Sequence, residues 1–143
     1  MRDIHPELER SGIAVAAVTF GDVEATSRFC NAVEAPFACY ADPERRAYDA
    51  FGLKRHAGWH RVLDPRQLSA TMHALRAGHP MYKGRLSVRQ MPGTFLIDTD
   101  GEVRYAHRNR FPADNPPIDD VLAAAQRLSA SAQASASGAG QRR

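Results

Sequence analysis

Two cysteines, Cys30 and Cys39, are the residues of this 143-residue chain best equipped for chemistry. A thiolate attacks peroxides and disulfides, and two thiols close in space form a two-electron couple. These two can bond only if their Cα atoms come within about 7 Å. Neither is predicted at a helix N-terminus, where backbone amides and the macrodipole would favour a thiolate: Cys30 falls within a helix and Cys39 in a strand predicted to be buried. The plainer reading is that both are small core residues. The other positions singled out are Met91, Pro92, Gly93 and Thr94, then Arg104, and the pair His56 and His60. Spacing of i, i+4 would put two imidazoles on one helix face, but Gly58 intervenes and no third ligand is nearby, so no metal site is expected.

The elements that must position these residues follow from periodicity and punctuation. In RQMPGTFLIDTDGEVRYAHR (89–108), Thr94 to Ile97 form a β-branched and apolar run. Val103 and Tyr105 alternate with polar residues after Asp100-Gly101. That pattern predicts a hairpin with a type I′ turn, its first arm buried on both faces and its second nearer a sheet edge. Pro92 cannot donate to a ladder and must stand where the strand begins, which makes the Met91–Pro92 bond a candidate for cis. Upstream, Ile4 and Leu8 ahead of Gly12 predict the last turn of a helix, and IAVAAVTF (13–20) a parallel strand covered on both faces. Asp22 caps a predicted helix over 23–34 with Val23, Phe29, Cys30 and Val33 inward, followed by the strand PFACYAD. Asp42-Pro43 then reads as the cap and first-turn proline of ERRAYDAFGL. Between 54 and 88, Trp59, Val62, Leu63, Leu68, Met72 and Leu75 suggest one or two amphipathic helices. Pro116 and Pro117 launch a final helix with Ile118, Val121, Leu122, Ala125 and Leu128 on one stripe. Strands alternating with helices imply an α/β fold with a parallel component. From Ser129 the Ser/Ala/Gly-rich tail is expected to be disordered, so the domain is placed at 1–128 and the tail at 129–143.

Composition narrows the class. The chain is 43% apolar and 24% charged, with a formal excess of +3, and its basic residues are nearly all scattered arginines. This gives no stripe for nucleic acid despite a pI near 9.2. No window reaches bilayer-spanning length, and MRDIHPELERSG has no apolar segment of the signal-peptide kind. The expectation is a cytoplasmic protein with both cysteines as thiols at rest, and with no membrane or nucleic-acid partner. Phosphate-loop, dinucleotide and serine-nucleophile motifs are absent, and no cofactor is expected.

Three segments, YADPERRAYDAFGL (40–53), QMPGTFLIDTDGEVRYAHR (90–108) and ADNPPIDDVL (113–122), in this order and spacing, resemble the peroxiredoxin-like branch of the AhpC/TSA antioxidant family in the thioredoxin-like superfamily. The resemblance covers about residues 4 to 128. It implies a thioredoxin-like three-layer α/β/α sandwich with a mixed sheet. Met91-Pro92 would be the cis-proline loop, and Met91 to Thr94 the wall opposite a reactive cysteine. Arg104 resembles an arginine that helps hold peroxide or thiolate, although a solvated strand arginine fits as well. The family cysteine lies at the start of a helix whose second half HPELERSG resembles, so the first strand and that cysteine are expected to precede this sequence. Without that strand two buried edges would lie unpaired, at about 1 to 3 kcal/mol per buried group. A start site placed too far downstream, a true truncation, or completion by swapping or dimerisation would each account for this, and we favour the first.

The function implied by the resemblance is that of a thiol-dependent antioxidant oxidoreductase scaffold, reducing peroxides or disulfides in its full-length form with an external thiol reductant of the thioredoxin or glutathione type; without the family nucleophile, this chain is expected to show little or no peroxidase activity. The alternatives are a non-catalytic interaction module completed by a partner, such as a second copy in a homodimer, and a Cys30/Cys39 dithiol switch.

Overall fold

A computed structural model describes residues 2–55, 72, 76, 90–111 and 114–139. They fall into two compact units, one built from Met1–Val15, Thr94–His107 and Pro116–Arg143, the other from Ala16–Gly93 and Arg108–Asn115.

In the first unit a 3-10 turn over Arg2–Ile4 leads into helix α1 (His5–Arg10). The helix ends as its sequence predicts: Gly12 adopts φ +75°, its N–H bonds the Glu9 carbonyl, and the Ile13 N–H reaches back to Leu8. This paired closure satisfies carbonyls that the helix leaves open. Ile4 and Leu8 then join Leu96 and the stripe Val121, Ala124, Ala125 and Leu128 in one buried cluster. The stripe belongs to helix α4 (Ile118–Ala139), and its i, i+3, i+4, i+7 spacing aims one face inward. Ile118, expected on that stripe, is exposed instead, one turn ahead of it. Ser129 Oγ donates to the Ser11 carbonyl at 2.5 Å, fastening α4 to the end of α1. Helix α4 continues through the stretch expected to be disordered, as far as Ala139. The physical reason is the alanine content of 129–139, since alanine has the highest helix propensity.

The hairpin strands β3 (Gly93–Ile97) and β4 (Val103–Arg108) pair as expected, but through a different turn. Only Gly101 of the Asp-Gly pair has positive φ, at +86°. The Gly101 N–H bonds the Asp98 carbonyl, and the Asp98 N–H bonds that of Glu102. This is a three-residue loop with a glycine bulge; a type I′ turn needs both central residues at positive φ. Nor is β3 buried on both faces: Leu96 is buried and Ile97 exposed.

In the second unit, β1 (Ala16–Thr19), helix α2 (Val23–Ala32) and β2 (Ala38–Ala41) form a β-α-β segment with the strands parallel, Ala16 opposite Ala38. Asp22 caps α2 as predicted, accepting from the Ala25 N–H at 2.7 Å. The inward residues of α2 are Thr26 and Cys30; Val23, predicted inward, is 77% exposed. Thr26 tolerates burial because its hydroxyl pairs with that of Thr19 at 2.6 Å. Strand β1 is shorter than IAVAAVTF and is not covered on both faces, with Val18 42% exposed. Helix α3 (Arg46–Ala50) starts later than Asp42-Pro43 suggests. A turn intervenes, and the Asp42 carboxylate reaches across it to accept from the N–H groups of Arg46 and Ala47, both at 2.9 Å.

The four strands thus make two separate two-stranded sheets, and among the described residues no ladder joins β1 to β3. Apart from Met72, which is helical and exposed, the apolar residues proposed for helices between 54 and 88 lie outside the described residues.

Gly12→Ala is expected to lower the unfolding free energy by about 1 kcal/mol, the price of a side chain at positive φ. Nothing lies within 4 Å of an added Cβ, so the loss is purely conformational. An unchanged urea midpoint would contradict the closure drawn here for α1.

Candidate redox site

Cys30 occupies the last turn of α2 and Cys39 the second position of β2, opposite Ala17 of β1. Two periodicities bring them together. Cys30 follows Thr26 by one helical turn on the inward face, and Cys39 is one of the alternate β2 residues turned away from solvent. The chain between them reverses through Glu34 at φ +50°, with the Glu34 N–H on Asn31 O and the Ala35 N–H on Cys30 O. The cysteine Cα atoms are 6.7 Å apart and the sulfurs are bonded, leaving neither cysteine free. The expectation of two resting thiols is therefore corrected: the inward helix face and the alternate strand face meet within disulfide reach. Cys30 is only 9% exposed, whereas Cys39 is half-buried. Cys39 Sγ lies 3.8 Å from the Phe37 carbonyl oxygen, an acceptor within reach of its thiol when reduced.

Beyond the other end of α2, the carboxyl ends of β1 and β2 are held by an aromatic cluster. The Tyr48 ring meets Phe20 edge to face at 5.9 Å, and the Arg45 guanidinium stands 5.6 Å over Phe20. Thr19 turns its carbonyl to the Asp42 N–H, on the β2 side, so Val18 turns its own to the opposite edge of β1. The Tyr48 hydroxyl donates to it there, at 2.9 Å. Burial raises the Tyr48 pKa, and the Asp42 carboxylate adds to the rise while Arg45 opposes it.

The expected wall is only partly a surface. Met91 is buried, its N–H on the Lys54 carbonyl at 3.2 Å; Pro92 is exposed; Gly93 and Thr94 are half-buried. The Met91–Pro92 bond is trans, which corrects the cis expectation. The segment runs extended into β3, and the Pro92 carbonyl accepts from the Asn109 N–H across the hairpin, so nothing calls for the tight bend that favours cis. Sequence reasoning passed over Gln90, which is buried, donates through Nε2 to the carbonyls of Leu53 and Met91, and leaves its Oε1 without a partner among the described residues. It also passed over the buried Asn109. A long polar side chain flanking an apolar strand gives no signal of burial.

Arg104 is engaged at the hairpin tip, with Nε 3.2 Å from Asp98 Oδ2 and Nη2 2.5 Å from Asp100 Oδ2. Those bonds account for it as a turn residue, at the far end of the hairpin from Pro92. Asp100 raises the Arg104 pKa further. The Asp98 carboxyl is held below its ordinary range, chiefly by the Thr99 N–H and then by Arg104. His56 and His60 lie outside the described residues. No described helix is long and apolar enough to cross a membrane.

A parallel β-α-β unit, a hairpin and a closing helix, in this chain order, describe an α/β protein of the thioredoxin-like class. Residues 1–110 match the AhpC/TSA antioxidant enzyme family, and the chain belongs to that family. Its curated relatives include Peroxiredoxin-like 2C of Homo sapiens, 23% identical over 122 residues that make up 80% of this chain and 54% of the relative. Peroxiredoxin-like 2C of Mus musculus is 27% identical over 101 residues, 66% of this chain and 45% of the relative. The chain thus spans about half the length of these curated relatives.

Because the folded pKa of Asp98 lies below its unfolded value, its contribution to stability is complete above the ordinary carboxylate range and is lost as pH falls through the folded value. Asp98→Asn should therefore flatten the acid limb of a stability-against-pH curve measured by urea unfolding. An unaltered acid limb would contradict the role given to this carboxylate.

Proposed function

We propose that the chain is a peroxiredoxin-like thiol-dependent oxidoreductase module whose working couple is Cys30 and Cys39. The single observation that carries this reading is the bond between them, which joins the only two cysteines of the sequence. Family membership supports a redox scaffold of this kind.

In the reduced state one thiolate attacks a peroxide oxygen, the O–O bond breaks, an alcohol or water leaves, and a sulfenic acid forms. The second thiol then attacks that sulfur, and a water molecule departs as the disulfide closes. An external thiol of the glutathione or thioredoxin type returns two electrons by exchange. Cys30 is at a helix C-terminus, where the macrodipole disfavours a thiolate, so it gains no advantage as the attacking thiol in either reaction.

A second reading rests on a different observation. Among the described residues β2 pairs on one side only, and an extended segment from a second copy could add along its second edge, making the module an interaction element. Light scattering discriminates: a homodimer supports this reading and a monomer at all concentrations excludes it.

The redox proposal is tested by equilibrating the chain in glutathione buffers of stepped ratio, quenching with acid and counting alkylated cysteines by intact mass. The expected result is one reversible transition between two labelled thiols and none. A chain that stays a dithiol in excess oxidised glutathione would overturn the proposal, as would peroxide turnover that survives Cys30→Ser combined with Cys39→Ser.

A further inference from the structure

The two sulfurs of the bond are not equivalent to a reagent arriving from solvent. Cys30 is in the last turn of α2, just ahead of the Val33 to Ala35 reversal, where the Ala35 N–H bonds its carbonyl. It is 9% exposed. Cys39 is half-buried, between the exposed Ala38 and Tyr40, on a strand whose second edge carries no partner among the described residues. We infer that Cys39 is the sulfur at which external thiols enter and leave the couple, with Cys30 the internal thiol that opens and recloses the bond; this rests on the proposal that the pair is a working couple.

The exchange follows directly. A small monothiol, as its thiolate, attacks Cys39 Sγ; a bond forms between the external sulfur and Cys39, the bond to Cys30 breaks, and Cys30 leaves as a thiolate that takes a proton from water. A second monothiol attacks the external sulfur of this mixed disulfide and releases a small disulfide together with the Cys39 thiolate. Two electrons have passed from two small thiols to the pair. In the reverse direction Cys39 attacks an external disulfide, and Cys30 then displaces the external thiol.

Leaving-group chemistry pulls the other way, because a thiolate at the end of a helix is less stable than one on a strand. A helix terminus changes such an equilibrium by about fivefold at an exposed site and by up to about thirtyfold at a buried one, and exchange rates feel only about half of that on a logarithmic scale. Attack on the sulfur of Cys30, a buried residue, would require local opening of the structure around it first. Access therefore decides the direction, by about tenfold or more.

The test uses the oxidised wild-type chain with limiting glutathione, quenched with acid at short times and mapped by peptide mass spectrometry. Glutathione is expected on Cys39 in about tenfold excess over Cys30, and the preference is expected to vanish in concentrated urea. In parallel, Cys30→Ser and Cys39→Ser chains, each checked for helix content, are reacted with an aromatic disulfide, and Cys39 should again be the faster. Equal or reversed labelling would overturn this inference while leaving the couple intact, and a preference that persists in urea would overturn its attribution to folded-state access. Absence of any adduct or free thiol at every glutathione concentration would overturn both the couple and the assignment.

Discussion

The covalent tie between the last turn of α2 and the second residue of β2 is the constraint on which the β-α-β unit depends. Two parallel strands of four residues each do not make a stable sheet alone. Their outward residues, Val18 and Tyr40, are exposed, so the strands are held mainly by what packs on one side. That side is α2, through Thr26 and Cys30. The connection between helix and strand also closes through Glu34 at positive φ, where a side chain costs about 1 to 2 kcal/mol and glycine is the usual choice. A bond between Cys30 and Cys39 holds that reversal in place. In the other unit, by contrast, α1 and α4 enclose Leu8, Leu96 and Val121 in an apolar cluster that needs no such link.

The same placement shapes the chemistry. A cysteine at the start of a helix gains reactivity from the amides around it, whereas Cys30 sits at the end, facing the negative pole of α2. In the proposed couple, readiness to exchange electrons accordingly comes from proximity, set by a helix face and a strand face that meet, and not from a thiolate stabilised in advance. The aromatic cluster of Phe20, Tyr48 and Arg45 contributes in turn by fixing α3 against the far edge of β1, so that the register of β1 with β2 is anchored beyond both ends of α2.

Much of this architecture was legible in the residues, and the failures have identifiable causes. Asp22 as a cap, Gly12 as a helix closure and the prolines before Ile118 act through local chemistry that a sequence displays directly. Asp42 was recognised as a cap, but Pro43 turned out to open a turn, moving the helix start to Arg46. Asp100-Gly101 marks a hairpin, yet whether one or both residues take positive φ is decided by the neighbouring Asp98 and Glu102 bonds. Pro92 stands just before β3, as its missing N–H requires, whereas the isomer of its bond to Met91, which is trans, has no local signal in the residues. The cysteine pair was visible as a spacing; that the spacing closes depends on how α2 lies on β2, which no local signal encodes. Gln90 and Asn109 gave no hint of burial, since polar residues are buried for the sake of particular partners.

The measurement that bears most directly on the central claim is the difference in unfolding free energy between the oxidised and the reduced chain. A loop closed by residues nine apart should make the oxidised form more stable by about 2.5 to 3 kcal/mol. A difference of that size, lost in Cys39→Ser, is the predicted result. A reduced chain as stable as the oxidised one would show that the fold does not favour the bond, and would contradict the account.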